Sequence, residues 1–149
     1  MMSETDRVLS ERRRREIEDS SAAQGFLTPW GKRITALTWG RCVVELPFSE
    51  YVTQQHGFFH GGVIGAIGDT AGGYAAATTM PEGSDVLTLD YTISFLRPAT
   101  GASLIAEGQV IKPGRTVTVT RVDVFAVASE RRTLCAVLQQ SVVQAPAKA

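Results

Sequence analysis

The sequence predicts an α+β domain in which an antiparallel six-stranded sheet wraps around one long central helix. Three observations carry this. Six segments of 6 to 12 residues are rich in β-branched and apolar side chains and end at turn residues. One proline-free stretch, 61 to about 80, sets Val63, Ile64, Ile67 and Tyr74 at helical spacing. A chain of 149 residues, 44% hydrophobic and 20% charged, can bury one core of ordinary size and leaves little room for a second.

Taken in order, residues 1 to about 24 are polar, and Ser10 before the charged run 11–19 reads as the cap of an exposed helix, with Glu11 four residues before Arg15. Acids flank the four arginines 12–15 on both sides, which favours a solvated face over an anionic partner. Residues 25–32 hold Pro29, Gly31, Phe26 and Trp30 and form a connector that folds back over the domain, its aromatics across the opening of the site. The chain thus divides into a helix and connector, 1–32, and a domain, 33–149. Strands at 33–38 and 42–48 are joined by a hairpin turn at Trp39-Gly40-Arg41. Residues 49–59, with Gln54, Gln55 and His56, are irregular. The helix that follows runs ~30 Å at ~1.5 Å per residue, the length of strands of about nine residues, so one helix can lie along a whole sheet. After Pro81-Glu82-Gly83 come strands at 86–95, 103–112, 116–126 and 132–143. Lys112-Pro113-Gly114-Arg115 suits a type II turn, with Gly114 at the positive φ.

Fifteen basic residues balance fifteen acidic ones, so charge gives no reason to expect nucleic acid or a membrane surface as the main partner. No apolar stretch approaches the ~20 residues of a membrane span, and the charged start lacks a secretory apolar region, which points to a cytoplasmic location. Cys42 and Cys135 lie far apart with no Cys-x-x-Cys or Cys/His cluster, so two buried thiols are expected and no metal site.

On a helical wheel Asp69 shares a stripe with Gly62, Gly65, Ala66, Gly72, Gly73 and Ala76, while the bulky residues point away. Six glycines in 61–73 cost up to ~1 kcal/mol each relative to Ala, so another backbone or a ligand must approach closely. A carboxylate on so apolar a stripe, with no Arg or Lys beside it, is a candidate for a group that is used; an exposed helix aspartate is the alternative. His60-Gly61-Gly62 opens the helix, where the first amides lack internal partners and can polarise a carbonyl.

These motifs, His60-Gly61-Gly62, Asp69-Thr70-Ala71, Leu87-Thr88-Leu89-Asp90-Tyr91 and Phe95-Leu96-Arg97-Pro98-Ala99, resemble the hotdog thioesterases, above all the PaaI-like and 4-hydroxybenzoyl-CoA groups. The resemblance covers roughly 33–143 and implies the hotdog fold. It also implies a dimer joined sheet edge to sheet edge, or a pair of such dimers, with active sites between subunits. Such pairing would cover an exposed edge strand. By resemblance the Gly61 amide polarises the thioester carbonyl and Asp69 is the general base or nucleophile. Gln54, or its neighbour Gln55, positions the thioester or water. Thr88 matches a hydroxyl that in some relatives reaches the site from the partner subunit and helps hold the water. Another subgroup has a hydroxyl one turn after its acid, where this chain has Gly73. His60 fixes the loop at the helix start, and His60, Gly62 and Gly73 line the substrate. Arg97, Arg115 and Lys112 are candidates for the CoA phosphates, or else solvated strand-end charges. His56 is a loop residue, and Tyr74 belongs to the core.

The reading is an acyl-CoA thioesterase acting on an aryl- or medium-chain acyl-CoA, with coenzyme A as part of the substrate and no other cofactor. A hotdog domain that binds acyl thioesters or apolar ligands without turnover is the alternative. A hydratase is disfavoured because no Asp is followed five residues later by His.

Overall fold

A computed structural model describes residues 7–146; the start of the polar N-terminal segment and the end of the chain, 1–6 and 147–149, lie outside the described residues. Six strands, β1 (Arg33–Thr38), β2 (Arg41–Pro47), β3 (Asp85–Phe95), β4 (Ser103–Lys112), β5 (Val117–Ala128) and β6 (Arg131–Ala145), form one sheet. Every pairing is antiparallel, in the order β1-β2-β4-β5-β6-β3, so β1 and β3 are the edges. The helix α2 (Gly61–Ala77) leaves the sheet after β2, lies across β4, β5 and β6, and returns the chain to β3 at the far edge. This is the hotdog arrangement expected from the sequence. No helix among the described residues is long and apolar enough to cross a membrane.

The core lies between α2 and the sheet. Alternate strand residues such as Val44, Leu46, Leu104, Val122, Val124 and Leu138 meet Ile64, Ile67 and Ala71. The glycines let the helix sit low. A Cβ on Gly108 of β4 would lie 2.5 Å from the Ala71 carbonyl oxygen, so here backbone packs on backbone. A Cβ on Gly68 would lie 3.1 Å from Leu138, and one on Gly72 would collide with Gln140 and Thr120. Before Gly73 there is open space.

Two expectations are corrected. Gly114 is not among the residues with positive φ, so 112–115 is not a type II turn. A bulge near the end of β4 moves the register so that Lys112 pairs with Val119, and the longer loop is tied by Gly114 N–H donating to Thr118 Oγ1 at 3.3 Å. The N-terminal helix α1 (Glu11–Ala23) has its Ser10 cap, but it is docked rather than fully exposed, and Glu11 pairs with Arg14 instead of Arg15. Ile17 and Arg13 are buried, Arg13 at 4% exposure. Arg13 Nε donates to the Ala77 carbonyl, in the last turn of α2, at 3.0 Å and Nη1 to the Ser84 carbonyl, in the turn before β3, at 2.8 Å, so one guanidinium ties α1 to both. Glu16 anchors the same joint: the Gly83 N–H, then Arg13, hold its carboxyl below the usual range.

Adjacent glycines therefore answer oppositely to one methyl group. Gly72→Ala should lower stability by about 1 to 3 kcal/mol through overpacking, whereas Gly73→Ala should raise it by up to ~1 kcal/mol through helix propensity. Urea unfolding with unchanged m-values measures both; equal effects at the two positions would contradict this packing.

Candidate active site

His60 caps α2, its Nδ1 accepting the Gly62 N–H at 2.8 Å, so this ring nitrogen carries no proton and the ring holds the turn. The Gly61 N–H points ahead of the helix and donates to no protein group among the described residues. Beside it opens a cavity of about 450 Å³ lined by Gln54, Gly61, Ile64, Phe95 and Arg97. Gln54 Oε1 accepts the His56 N–H at 2.5 Å, which fixes the side chain and leaves its NH₂ available. Gln55 is exposed and lines neither this cavity nor the next. Arg97 Nη1 donates to the Leu134 carbonyl at 3.0 Å.

Asp69 lies eight residues further along α2, about 12 Å by helix rise. Thr88 Oγ1 donates to its Oδ1 at 2.7 Å, within the same chain. Gln140 Nε2 lies 2.5 Å from the same oxygen, 2.7 Å from Thr88 Oγ1 and 3.2 Å from the Asp69 carbonyl. Asp69 Oδ2 has no protein partner among the described residues. A second cavity, of about 270 Å³, is lined by Asp69, Thr88, Gly73, Tyr74 and, from α1 and the residue that ends it, Ser20 and Gln24. Tyr74 is a core residue whose hydroxyl meets Ser20 Oγ at 3.0 Å and Gln24 Nε2 at 3.1 Å; burial pushes its phenol up. Lys32 supports this wall by donating to Gln24 Oε1 at 2.5 Å, and burial pushes its ammonium down.

The edge strand β3 borders both cavities. Thr88 meets Asp69, the Tyr91 hydroxyl lies 3.0 Å from where a Gly65 Cβ would be, and the Phe95 ring lies 3.2 Å from the same point on Gly61. Residues 88 and 91 would face opposite sides of a regular strand. A bulge between Thr88 and Asp90 turns both toward the helix. Within one chain Tyr91 and Phe95 cover the helix face at Gly65 and Gly61, and the two cavities share no lining residue.

The predicted residues thus fall into two groups, Gln54, Gly61 and Arg97 in one and Asp69, Gly73 and Thr88 in the other. Gly62 spends its amide on His60, and Arg115, like Lys112, is exposed; none of the three lines either cavity. Trp30 stacks on Tyr51 at 4.7 Å and Phe26 is exposed; neither lines the two cavities. Cys42 and Cys135 are buried free thiols; burial pushes Cys42 up to about 12 and raises Cys135. No group of three His, Cys, Asp or Glu side chains among the described residues could hold a metal. Gln140, Ser20, Gln24 and Lys32 were not foreseen. Only Gln140 left a signal, as a polar residue at an inward-facing step of the Ala136, Leu138, Gln140, Val142 alternation.

The sequence model of the Thioesterase superfamily matches residues 56–132. A Saccharolobus solfataricus protein, whose name proposes an esterase, is 36% identical over 91 residues; the match covers 61% of this chain and less than two thirds, 64%, of that protein. Acyl-coenzyme A thioesterase 13 of Homo sapiens is 27% identical over 112 residues, 74% of this chain and 79% of the relative. The crystal structure of a thioesterase family protein from Silicibacter pomeroyi superimposes with a TM-score of 0.86 at 34% identity, covering 89% of this chain and 97% of that one.

If His60 acts as a cap, His60→Ala should cost about 1 kcal/mol, seen as a melting temperature lower by roughly 2 to 4 °C, while His60→Asn, which keeps a capping side chain, should recover most of it. Equal losses in both variants would show that the imidazole does something else.

Proposed function

This chain belongs to the Thioesterase superfamily, and from that premise we propose that it hydrolyses a cytoplasmic aryl- or medium-chain acyl-CoA to the free acid and CoA. The observation that carries the reading is a pair of unspent groups: among the described residues, an amide at Gly61 that donates to no protein atom, and a carboxylate oxygen on Asp69 that accepts from none. A thioester carbonyl needs both, a donor at its oxygen and a base or nucleophile at its carbon.

The separation of the two groups along α2 favours a site shared between two copies of the chain. One hydrogen bond of ~2.9 Å, a C=O of ~1.23 Å and an approach of ~3 to 3.5 Å together span about 7 Å. The Gly61 and Asp69 backbones are about 12 Å apart along a rigid helix, with Tyr91 and Phe95 against the face between them. The edge of β3 exposes Leu87, Leu89 and Phe95 at 61%, 59% and 54%, an apolar strand edge that a second copy would cover. Because β3 runs beside α2 from Asp69 back to Gly61, antiparallel pairing of two β3 edges sets the Asp69 end of one chain against the Gly61 end of the other.

In this assembly Gly61 of one copy polarises the carbonyl, an interaction of the kind typically worth ~2.7 to 4 kcal/mol in the transition state, and Gln54 holds the thioester or water. Asp69 of the other copy activates water or attacks the carbon directly. Both routes break the C–S bond and release the acid and CoA, and neither needs a metal or redox partner. The cavity at Asp69, walled on one side by Ser20 and Gln24, is the candidate site for the acyl group. Arg97, beside Gly61, is the cation best placed for the CoA phosphates, with Arg115 a second candidate on the loop after β4.

Thiol release from aryl, short-chain, medium-chain and long-chain acyl-CoA esters tests this. Asp69→Asn should lose at least ~10²-fold in kcat, and so should Gly61→Pro, which deletes the amide hydrogen at the first helical position, where proline is tolerated. No release from any ester, or equal release from wild type and Asp69→Asn, would overturn the proposal.

A further inference from the structure

We infer that Gln140 is a positioning residue for this hydrolysis: it holds Asp69 and Thr88 together so that Asp69 Oδ2 is the reacting atom. This rests on the reading of Asp69 as the reacting carboxylate. Gln140 is 1% exposed, in the middle of β6 under α2, where a carboxamide is costly to bury unless its hydrogen bonds are made. They are made, and in one sense only. Oε1 accepts from Thr120 Oγ1 at 3.3 Å. Nε2 faces Asp69 Oδ1, Thr88 Oγ1 and the Asp69 carbonyl. A flipped amide would set its oxygen against a carboxylate and a carbonyl, neither of which can donate, so the chemistry of the neighbours fixes the orientation.

The helix yields to this amide. Gly72 is the position where any Cβ would overlap Gln140 Oε1, and it would also come within 2.7 Å of Thr120 Oγ1. A glycine in mid-helix is unfavourable, and here it makes room for a polar side chain where the neighbouring positions on β6 place Leu138 and Val142.

The consequence falls on the two oxygens of Asp69. Oδ1 receives donors from Thr88 and Gln140, while Oδ2 receives none among the described residues. The Thr88 hydroxyl, donating to Asp69 and accepting from Gln140, is committed to the carboxylate and not free to hold water as its donor. On the base route Oδ2 takes a proton as the water oxygen bonds to the acyl carbon; the C–S bond then breaks and the proton passes to the departing thiolate. On the nucleophile route Oδ2 itself bonds to the carbon, the thiolate leaves and takes a proton from solvent, and water cleaves the resulting anhydride.

The test measures kcat and KM for thiol release by wild type, Gln140→Met and Thr120→Val, each alone and combined with Asp69→Asn, at matched folding and oligomeric state. Gln140→Met should lower kcat by about 10- to 100-fold with KM within about threefold, and it should lower nothing further in the Asp69→Asn background. Thr120→Val, which removes the donor to Oε1 and so loosens the amide without reversing it, carries the test should Gln140→Met not fold and should show the same pattern with a smaller factor. An unchanged kcat, a loss confined to KM, or the same fold-loss with and without Asp69 would overturn the inference while leaving the thioesterase reading intact. A wild type inactive on every thioester would overturn both.

Discussion

The backbone of α2 at Ala71 and Gly72 rests on the backbone of β4 at Gly108, and the rest of the site depends on that contact. With no side chain between them, helix and sheet are close enough for residues of β6 to reach the helix. The two periodicities then run nearly in step: four residues of helix rise ~6 Å and two residues of strand ~6.6 Å. Gly68 lies over Leu138, Gly72 over Gln140 and Ala76 beside Val142. A larger residue at Gly108 or Gly72 would lift the helix and carry Asp69 away from Thr88 and Gln140. The glycine-rich helix is weak as a helix, and burial against the sheet has to offset that weakness.

The same rigidity that aligns Asp69 with β6 keeps it from Gly61. One end of α2 offers an amide able to stabilise negative charge, and two turns on it offers a carboxylate. The proposed chemistry needs these within one carbonyl's reach, and no rotamer change shortens a helix. A second copy related by a two-fold axis would meet the requirement without deforming either chain, because antiparallel edges would bring unlike ends of the two helices together. The bulge after Thr88 belongs to the same design: it turns Thr88 toward Asp69 and still leaves Tyr91 and Phe95 on the helix side.

What the sequence showed and what it hid divide along physical lines. Periodicity exposed the six strands and the helix, since each depends on local spacing and apolar faces, and their ends shifted by only a few residues. Asp69 stood out because charge on an otherwise small, apolar stripe needs a reason. Gln140 lies 71 residues away from it in the chain, and nothing local states which carboxylate a strand glutamine will meet. The docking of α1 was hidden for a similar reason. Arg13 looks like its arginine neighbours until the end of α2 and the turn before β3 supply carbonyls for it. The turn after β4 was misread because a bulge, which shifts register without altering composition, decided its length. Motif spacing grouped Gly61 with Asp69, as the chemistry requires, but spacing alone does not say whether they meet within one chain or across two.

Subunit mixing tests that point most directly. Asp69→Asn and Gly61→Pro chains, each inactive alone, are mixed, unfolded and refolded or co-expressed, and thiol release is measured from the mixture. If each site takes Gly61 from one copy and Asp69 from the other, a mixed dimer contains one intact site of two, and a statistical mixture should recover about a quarter of wild-type activity. If both groups act within one chain, every site in every dimer carries a defect and the mixture should stay as inactive as its parts, which would contradict a site shared between copies.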